Sequence, residues 1–164
     1  MILPRFLTML IGAPLLLVSI WWGQMPFFIL IFGIVMLALH EYYTLAEEAE
    51  WPVSKKAGLL CGALLVLSIT FFGTKFHWNM SPARESLLAA KEVYLTPLAI
   101  SIGFLFLTSV VLLSGKKENA FLNLAVTWLG IFYVAWTLAH IFLIRDLRPG
   151  GELYTFFLFV VVWT

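Results

Sequence analysis

Apolar runs about as long as a bilayer crossing alternate along this chain with short polar or Pro/Gly-containing segments. A hydrocarbon core about 30 Å thick takes roughly 20 helical residues to cross, and that length is the test each run has to meet. Five runs meet it: residues 6–22, 27–45, 57–73, 93–114 and 121–144. The first is slightly short and carries Pro14 in its middle, where the missing backbone donor predicts a kink. A Gly23-Gln24-Met25-Pro26 turn joins it to the second, so these two are expected to form a hairpin. The pattern predicts an all-α, polytopic transmembrane chain of one domain over residues 1–164, with five complete spans.

The end of the chain departs from this pattern. Residues 153–163 would extend only about 16 Å as a helix. They cannot borrow length backwards, because residues 145–152 are polar and contain the helix breakers Pro149 and Gly150. A helix ending at Thr164 would leave its carboxylate and last carbonyls near the bilayer centre, a costly place for unpaired polar groups. The expectation is a truncated sixth span; the alternative is a short re-entrant or interfacial tail.

Several features refine the boundaries. The run after Arg5 is a signal-peptide candidate, but it closes on Ser19-Ile20-Trp21-Trp22-Gly23, bulky where a cleavage site takes small residues, and it reads as a retained span. Trp21, Trp22, Tyr42, Tyr43, Trp51, Trp78 and Tyr94 fall at or near span ends, where amphipathic rings settle at headgroup level. Residues 74–92 form the one sizeable polar stretch, and Ser81-Pro82-Ala83-Arg84-Glu85 within it predicts a short interfacial helix. Arg5, Lys55, Lys56, Lys116 and Lys117 lie on one side, against Lys75, Arg84, Lys91, Arg145 and Arg148 on the other. That balance leaves orientation open.

Composition excludes a soluble domain, since 62% of residues are hydrophobic and 12% charged. A formal charge of +1 gives no electrostatic case for a nucleic-acid partner. Cys61 is the sole cysteine, which rules out an intrachain disulfide or a multi-thiolate metal site and leaves it as a small packing residue. Ionisable residues within spans are the first functional candidates, because they are costly against lipid. His40-Glu41 reads either as a carboxylate facing a polar cavity or as a headgroup-level pair with water access. His140 is expected to bond across helices or reach the surface rather than to act in catalysis. The small residues Gly58 and Gly62 predict close approach of another helix. Asn123, Thr127 and Gly130 share one face of the fifth span, which is expected to lie against protein, and Thr137 is a further candidate for bonding between helices. No acidic cluster able to hold Mg2+, glycine-rich phosphate loop, HExxH motif or Ser/His/Asp set is legible.

Two blocks resemble a known family. Arg5, Pro14-Leu15, Trp22-Gly23 and Glu41-Tyr42-Tyr43-Thr44-Leu45 resemble the amino-terminal region of bacterial phosphatidate cytidylyltransferases, also called CDP-diacylglycerol synthases. Thr127-Trp128-Leu129-Gly130-Ile131-Phe132-Tyr133-Val134, then Leu143-Ile144-Arg145, Pro149-Gly150-Gly151 and the final apolar run are similar to a later block of the same family. The resemblance implies Mg2+-dependent transfer of a cytidylyl group from CTP to phosphatidic acid, releasing pyrophosphate, in the bacterial inner membrane. It also implies that the family's catalytic carboxylates and His-Gly-Gly signature lie in a carboxy-terminal half that has no matching positions here. On this reading the chain carries no catalytic residue and no metal ligand, and it is expected to be inactive alone. Arg5, Glu41 and Arg145 remain as candidate lipid-headgroup or inter-helix contacts. Membrane lipids, phosphatidic acid, a missing carboxy-terminal half or a second copy of the chain are the expected partners. The competing reading is a small non-enzymatic helical membrane protein serving assembly or transport. A transporter half is disfavoured by the lack of paired broken helices.

Overall fold

The computed structural model describes residues 3–73, 82–113, 119–147 and 149–163, with side chains at 3–11, 13, 72, 73, 82–96 and 163 excepted. Through these residues run six helices and no strand: α1 (Leu3–Trp22), α2 (Gln24–Glu48), α3 (Lys55–Ser68, continued by a π-helical turn at Ile69–Gly73), α4 (Pro82–Leu113), α5 (Ala120–Arg145) and α6 (Gly151–Trp163). Two of them, α2 and α5, are long and apolar enough to cross a membrane; Pro97–Leu113 and Gly151–Val162 are shorter apolar stretches. The described residues therefore form an all-α fold with two candidate spans.

The core is a layer of three helices. Phe27, Ile31, Val35, Leu39, Tyr43 and Ala46 recur every third or fourth residue along α2 and are buried as one stripe. Ile29 and Leu37, on the other side of the same helix, are 67% and 71% exposed, so α2 is apolar all round but covered on one side only. Close approach to α3 is made possible by Gly58 and Gly62: a Cβ at Gly58 would overlap the Tyr43 ring, and one at Gly62 would stand 2.5 Å from Leu39 Cδ2. This meets the expectation that small residues on α3 admit another helix. Helix α5 lies antiparallel to α2, its early Gly130 against the rings of Tyr42 and Tyr43 and its late Phe142 edge-on to Phe27. Cys61 is buried in the same core.

The remaining helices flank this layer. Helix α1 packs on α2 and α6, α4 on α3 and α5, and α6 on α5. The α1–α2 hairpin is present, but its turn is tighter than residues 23–26. Only Gly23 leaves the helical conformation, at φ 130°, where an L side chain would be strained. Pro26 is accommodated in the first turn of α2, where no intrahelical N–H bond is lost. The interfacial helix expected after Ser81 is likewise not separate, because α4 runs unbroken from Pro82 through Pro97 to Leu113. Residues 74–81, including Trp78, lie outside the described residues. Within α5, Ile131–Trp136 form a π-helical turn that packs on α3. Such a one-residue widening has no signature in hydrophobic periodicity.

Candidate functional site

Because α2 and α5 are antiparallel, their ends bring two polar groups of residues together at opposite ends of the pair. Phe27 and Tyr43 mark these ends on α2, about 24 Å apart at 1.5 Å per residue.

At the Tyr43 end every named polar atom is engaged. The Tyr43 hydroxyl donates to the Thr127 carbonyl at 2.8 Å, and Tyr42 reaches the Val126 carbonyl at 3.4 Å. Thr127 Oγ1 accepts from the Ser54 backbone N–H at 3.1 Å and donates to Asn123 Oδ1 at 3.3 Å. That oxygen also accepts from Ser54 Oγ at 2.9 Å. Ser54 precedes α3 at the cap position but makes no side-chain cap bond, its hydroxyl being spent on α5 instead. On the outer margin Lys55 Nζ donates to Thr44 Oγ1 at 2.8 Å and pairs with Glu47 at 3.1 Å. The face shared by Asn123, Thr127 and Gly130 thus lies against protein as expected. Tyr43 does not sit in an aromatic belt. It is fully buried, because Gly58 and Gly130 leave room for its ring and Thr127 supplies an acceptor for its hydroxyl.

At the other end the central group is Arg145, the last residue of α5. Its Nη2 donates to the Ile20 carbonyl at 2.8 Å, and its guanidinium carbon lies 4.7 Å from the centre of the Phe27 ring. Ile20 is in the last turn of α1, where carbonyls lack intrahelical partners and a positive charge is favoured by the helix dipole. One side chain of α5 thereby caps α1 and stacks on α2. Arg145 Nε is buried and makes no hydrogen bond to protein. An inner cavity of about 30 Å³ lies here, bounded by Gln24, Phe27, Phe28, Thr70, Phe142, Arg145 and Asp146, with room and polar groups enough for one water. An outer cavity of about 380 Å³ is lined by Gly23, Gln24, Arg145, Asp146, Gly150 and Glu152 among others.

The turn between α5 and α6 shapes that outer cavity. Gly150 adopts φ 95°, and a Cβ on Gly151 would collide with the Arg145 carbonyl oxygen, so the chain folds back this sharply only with glycine at both positions. The Gly151 N–H donates to the Leu147 carbonyl at 2.8 Å, and Thr155 Oγ1 donates to the Gly151 carbonyl at 2.8 Å. This closure holds Glu152, in the first turn of α6, on the same cavity as Arg145.

Two of the three candidate contact residues, Arg145 and Glu41, lie apart. Arg145 is at the α1–α2 turn; Glu41 is exposed towards the opposite end of α2; Arg5 lies in α1, with its side chain outside the description. His40 is exposed as well. His140 bonds within its own helix, Nδ1 donating to the Trp136 carbonyl at 2.7 Å with its ring against Trp136, and Thr137 likewise donates to the Phe132 carbonyl at 3.1 Å rather than to another helix. The π-helical turn accounts for Thr137, since it places that carbonyl five residues back within reach. Sequence reasoning missed Gln24 and Ser54 as cluster members. Only their neighbourhood to Gly23 and to the start of α3 hinted at a role.

No group of three or more His, Cys, Asp or Glu side chains able to hold a metal occurs among the described residues. Asp146 and Glu152 share their cavity with the Arg145 guanidinium, whose charge opposes a divalent cation there, so the residues present do not fit Mg2+. The sequence matches the model of the Cytidylyltransferase family over residues 3–164. No curated protein and no solved structure matches it.

Proposed function

The chain belongs to the cytidylyltransferase, or CDP-diacylglycerol synthase, family, and from that premise we propose that it contributes to cytidylyl transfer from CTP to phosphatidate in a bilayer, as the helical membrane portion of the enzyme. In that reaction an oxygen of the lipid phosphate forms a bond to the α-phosphorus of CTP, and the bond to pyrophosphate breaks. Charge on three phosphates has to be neutralised by metal ions and cationic side chains. Among the described residues no group fits that task, so no step of the transfer is routed through them. Their role is architectural: α2, α3 and α5 form a rigid core, and α1, α4 and α6 surround it.

The observation that carries the membrane part of this reading is the arrangement of α2 and α5. Two polar clusters about 24 Å apart bracket an apolar interval slightly thinner than a hydrocarbon core. Over that interval α2 presents Ile29, Ile34 and Leu37 outward, an apolar face suited to acyl chains. On this reading α1 to α5 each cross the bilayer, and the exposed Trp21 and Trp22 stand at the boundary on the Arg145 side.

The purified chain in detergent, supplied with Mg2+, CTP and phosphatidate, is expected to release no pyrophosphate above background. Turnover by the chain alone would sink the architectural reading. Retention in the membrane after alkaline carbonate extraction tests the crossings, and release into the supernatant would count against them.

A further inference from the structure

Helix α2, one of the two helices long and apolar enough to cross a membrane, carries a carboxylate on its uncovered side. Glu41 is exposed, and among the described residues its carboxylate has no ion pair and no hydrogen bond. It lies two residues before Tyr43, hence about 3 Å inside that level. With a bilayer centred on the two polar clusters, it stands about 6 Å inside the hydrocarbon boundary. Acyl chains satisfy an apolar face but not a carboxylate at that depth. The last turn of α2 holds no basic residue, so the negative end of the helix dipole adds to the demand for a cation.

The surroundings of Glu41 fit a helix. Ile34, Leu37, Glu41 and Leu45 are all exposed and recur every third or fourth residue, the spacing of a seam between two helices. Gly33 lies on the same side, and a Cβ there would meet nothing within 4 Å, which leaves a notch beside Leu37 where a neighbour can approach closely. A second copy of the chain does not suit this seam, because a parallel pair on a twofold axis would set Glu41 against Glu41. A lipid ammonium lies above it, at headgroup level. We propose that this face of α2 docks a transmembrane helix of a partner protein, and that an arginine or lysine of that helix pairs with Glu41 inside the hydrocarbon. The proposal rests on the bilayer reading above.

The test uses the full chain with a fluorophore at its amino terminus, reconstituted in phosphatidylcholine vesicles. The probe is a labelled synthetic helix of leucine and alanine, roughly 20 residues long, with one arginine a turn inside its apolar end. Energy transfer is expected to show this peptide associating about tenfold more tightly than its glutamine counterpart. Glu41→Gln is expected to erase that difference. Gly33→Leu, whose side chain enters open space, is expected to weaken binding of both peptides about threefold. Glu48→Gln, at the end of α2, is expected to leave the tenfold preference in place. Equal binding of the two peptides, a preference that survives Glu41→Gln, an equal loss in Glu48→Gln, or binding unaffected by Gly33→Leu would overturn the proposal. Transfer between two copies of the chain that Gly33→Leu abolishes would give the face to a second copy instead, and a preference lost when phosphatidylethanolamine replaces phosphatidylcholine would give it to a lipid headgroup. A chain that fails to enter the vesicles would refute the bilayer reading itself, an outcome read before any peptide is added.

Discussion

The two ends of the α2–α5 pair solve the same problem, placing polar groups beside an apolar core, in opposite ways. At the Tyr43 end the groups are mostly neutral and consume one another's hydrogen-bonding capacity: Thr127 gives and receives, and Asn123 Oδ1 accepts twice. Gly58 and Gly130 let the Tyr43 ring pack without a gap between three helices. At the Arg145 end a full charge is held by one carbonyl and one ring, with the Glu152 and Asp146 carboxylates also acting on it, beside an inner and an outer cavity. Mutual hydrogen bonds between neutral groups rigidify a core, whereas a charged group beside a cavity is where a ligand gains binding energy. The difference separates a structural end from a receptive one.

The sharpest way to break the comparison is to spoil the packing of the closed end. A Cβ at Gly130 would stand 2.7 Å from both the Tyr42 and Tyr43 rings, which are too rigid to yield. Gly130→Val is therefore expected to lose about 3 kcal/mol, read as an earlier transition when the protein in mixed micelles is titrated with SDS. At the open end Arg145→Met removes the bond to Ile20 and the stacking on Phe27, and about 2 kcal/mol is expected in the same assay. Arg145→Lys is expected to restore little, because an ammonium does not reproduce the planar stack. If Arg145→Met cost more than Gly130→Val, the assignment of the two ends would be reversed.

Much of this arrangement was legible in the apolar pattern and much was not, for identifiable reasons. Helices α2 and α5 stand out because long apolar runs between polar punctuation leave few other solutions, and the spacing of Gly58 and Gly62 announces a close neighbour without saying which. Tyr43 was misread as an interfacial ring, since an aromatic near a span end satisfies either environment and only the cavity left by two glycines on other helices decides. The bond from Ser54 to Asn123 joins residues 69 positions apart, a distance over which local pattern carries no information. Pro26 reads as a turn residue by propensity, yet the first helical turn tolerates it. Arg145 was singled out as a polar residue of a block that resembles the family, but that it caps α1 depends on the antiparallel packing of α5 and on the glycine turn behind it.

A gentler probe of the closed end is Tyr43→Phe, which keeps the ring and removes only the hydroxyl. The Thr127 carbonyl still accepts from the Ile131 N–H, so no buried acceptor is orphaned. The expected loss is about 1 kcal/mol, smaller than that of Arg145→Met. A loss as large as that of Gly130→Val would mean that hydrogen bonding rather than packing dominates this end.

The smallest effect is expected at the margin of the same end. Lys55 and Glu47 form an ion pair at 3.1 Å, but the two side chains are 22% and 49% exposed, so water and salt screen most of their attraction. Lys55 also donates to Thr44, whose own hydroxyl is already bonded to the His40 carbonyl. Removing the ammonium therefore leaves no buried group without a partner, and Lys55→Met is expected to cost about 0.5 kcal/mol or less, shrinking further as salt is raised. The measurement is the SDS transition at low and high ionic strength. A cost that exceeds that of Tyr43→Phe and persists in high salt would show that the charged margin, and not the neutral network behind it, holds the closed end together.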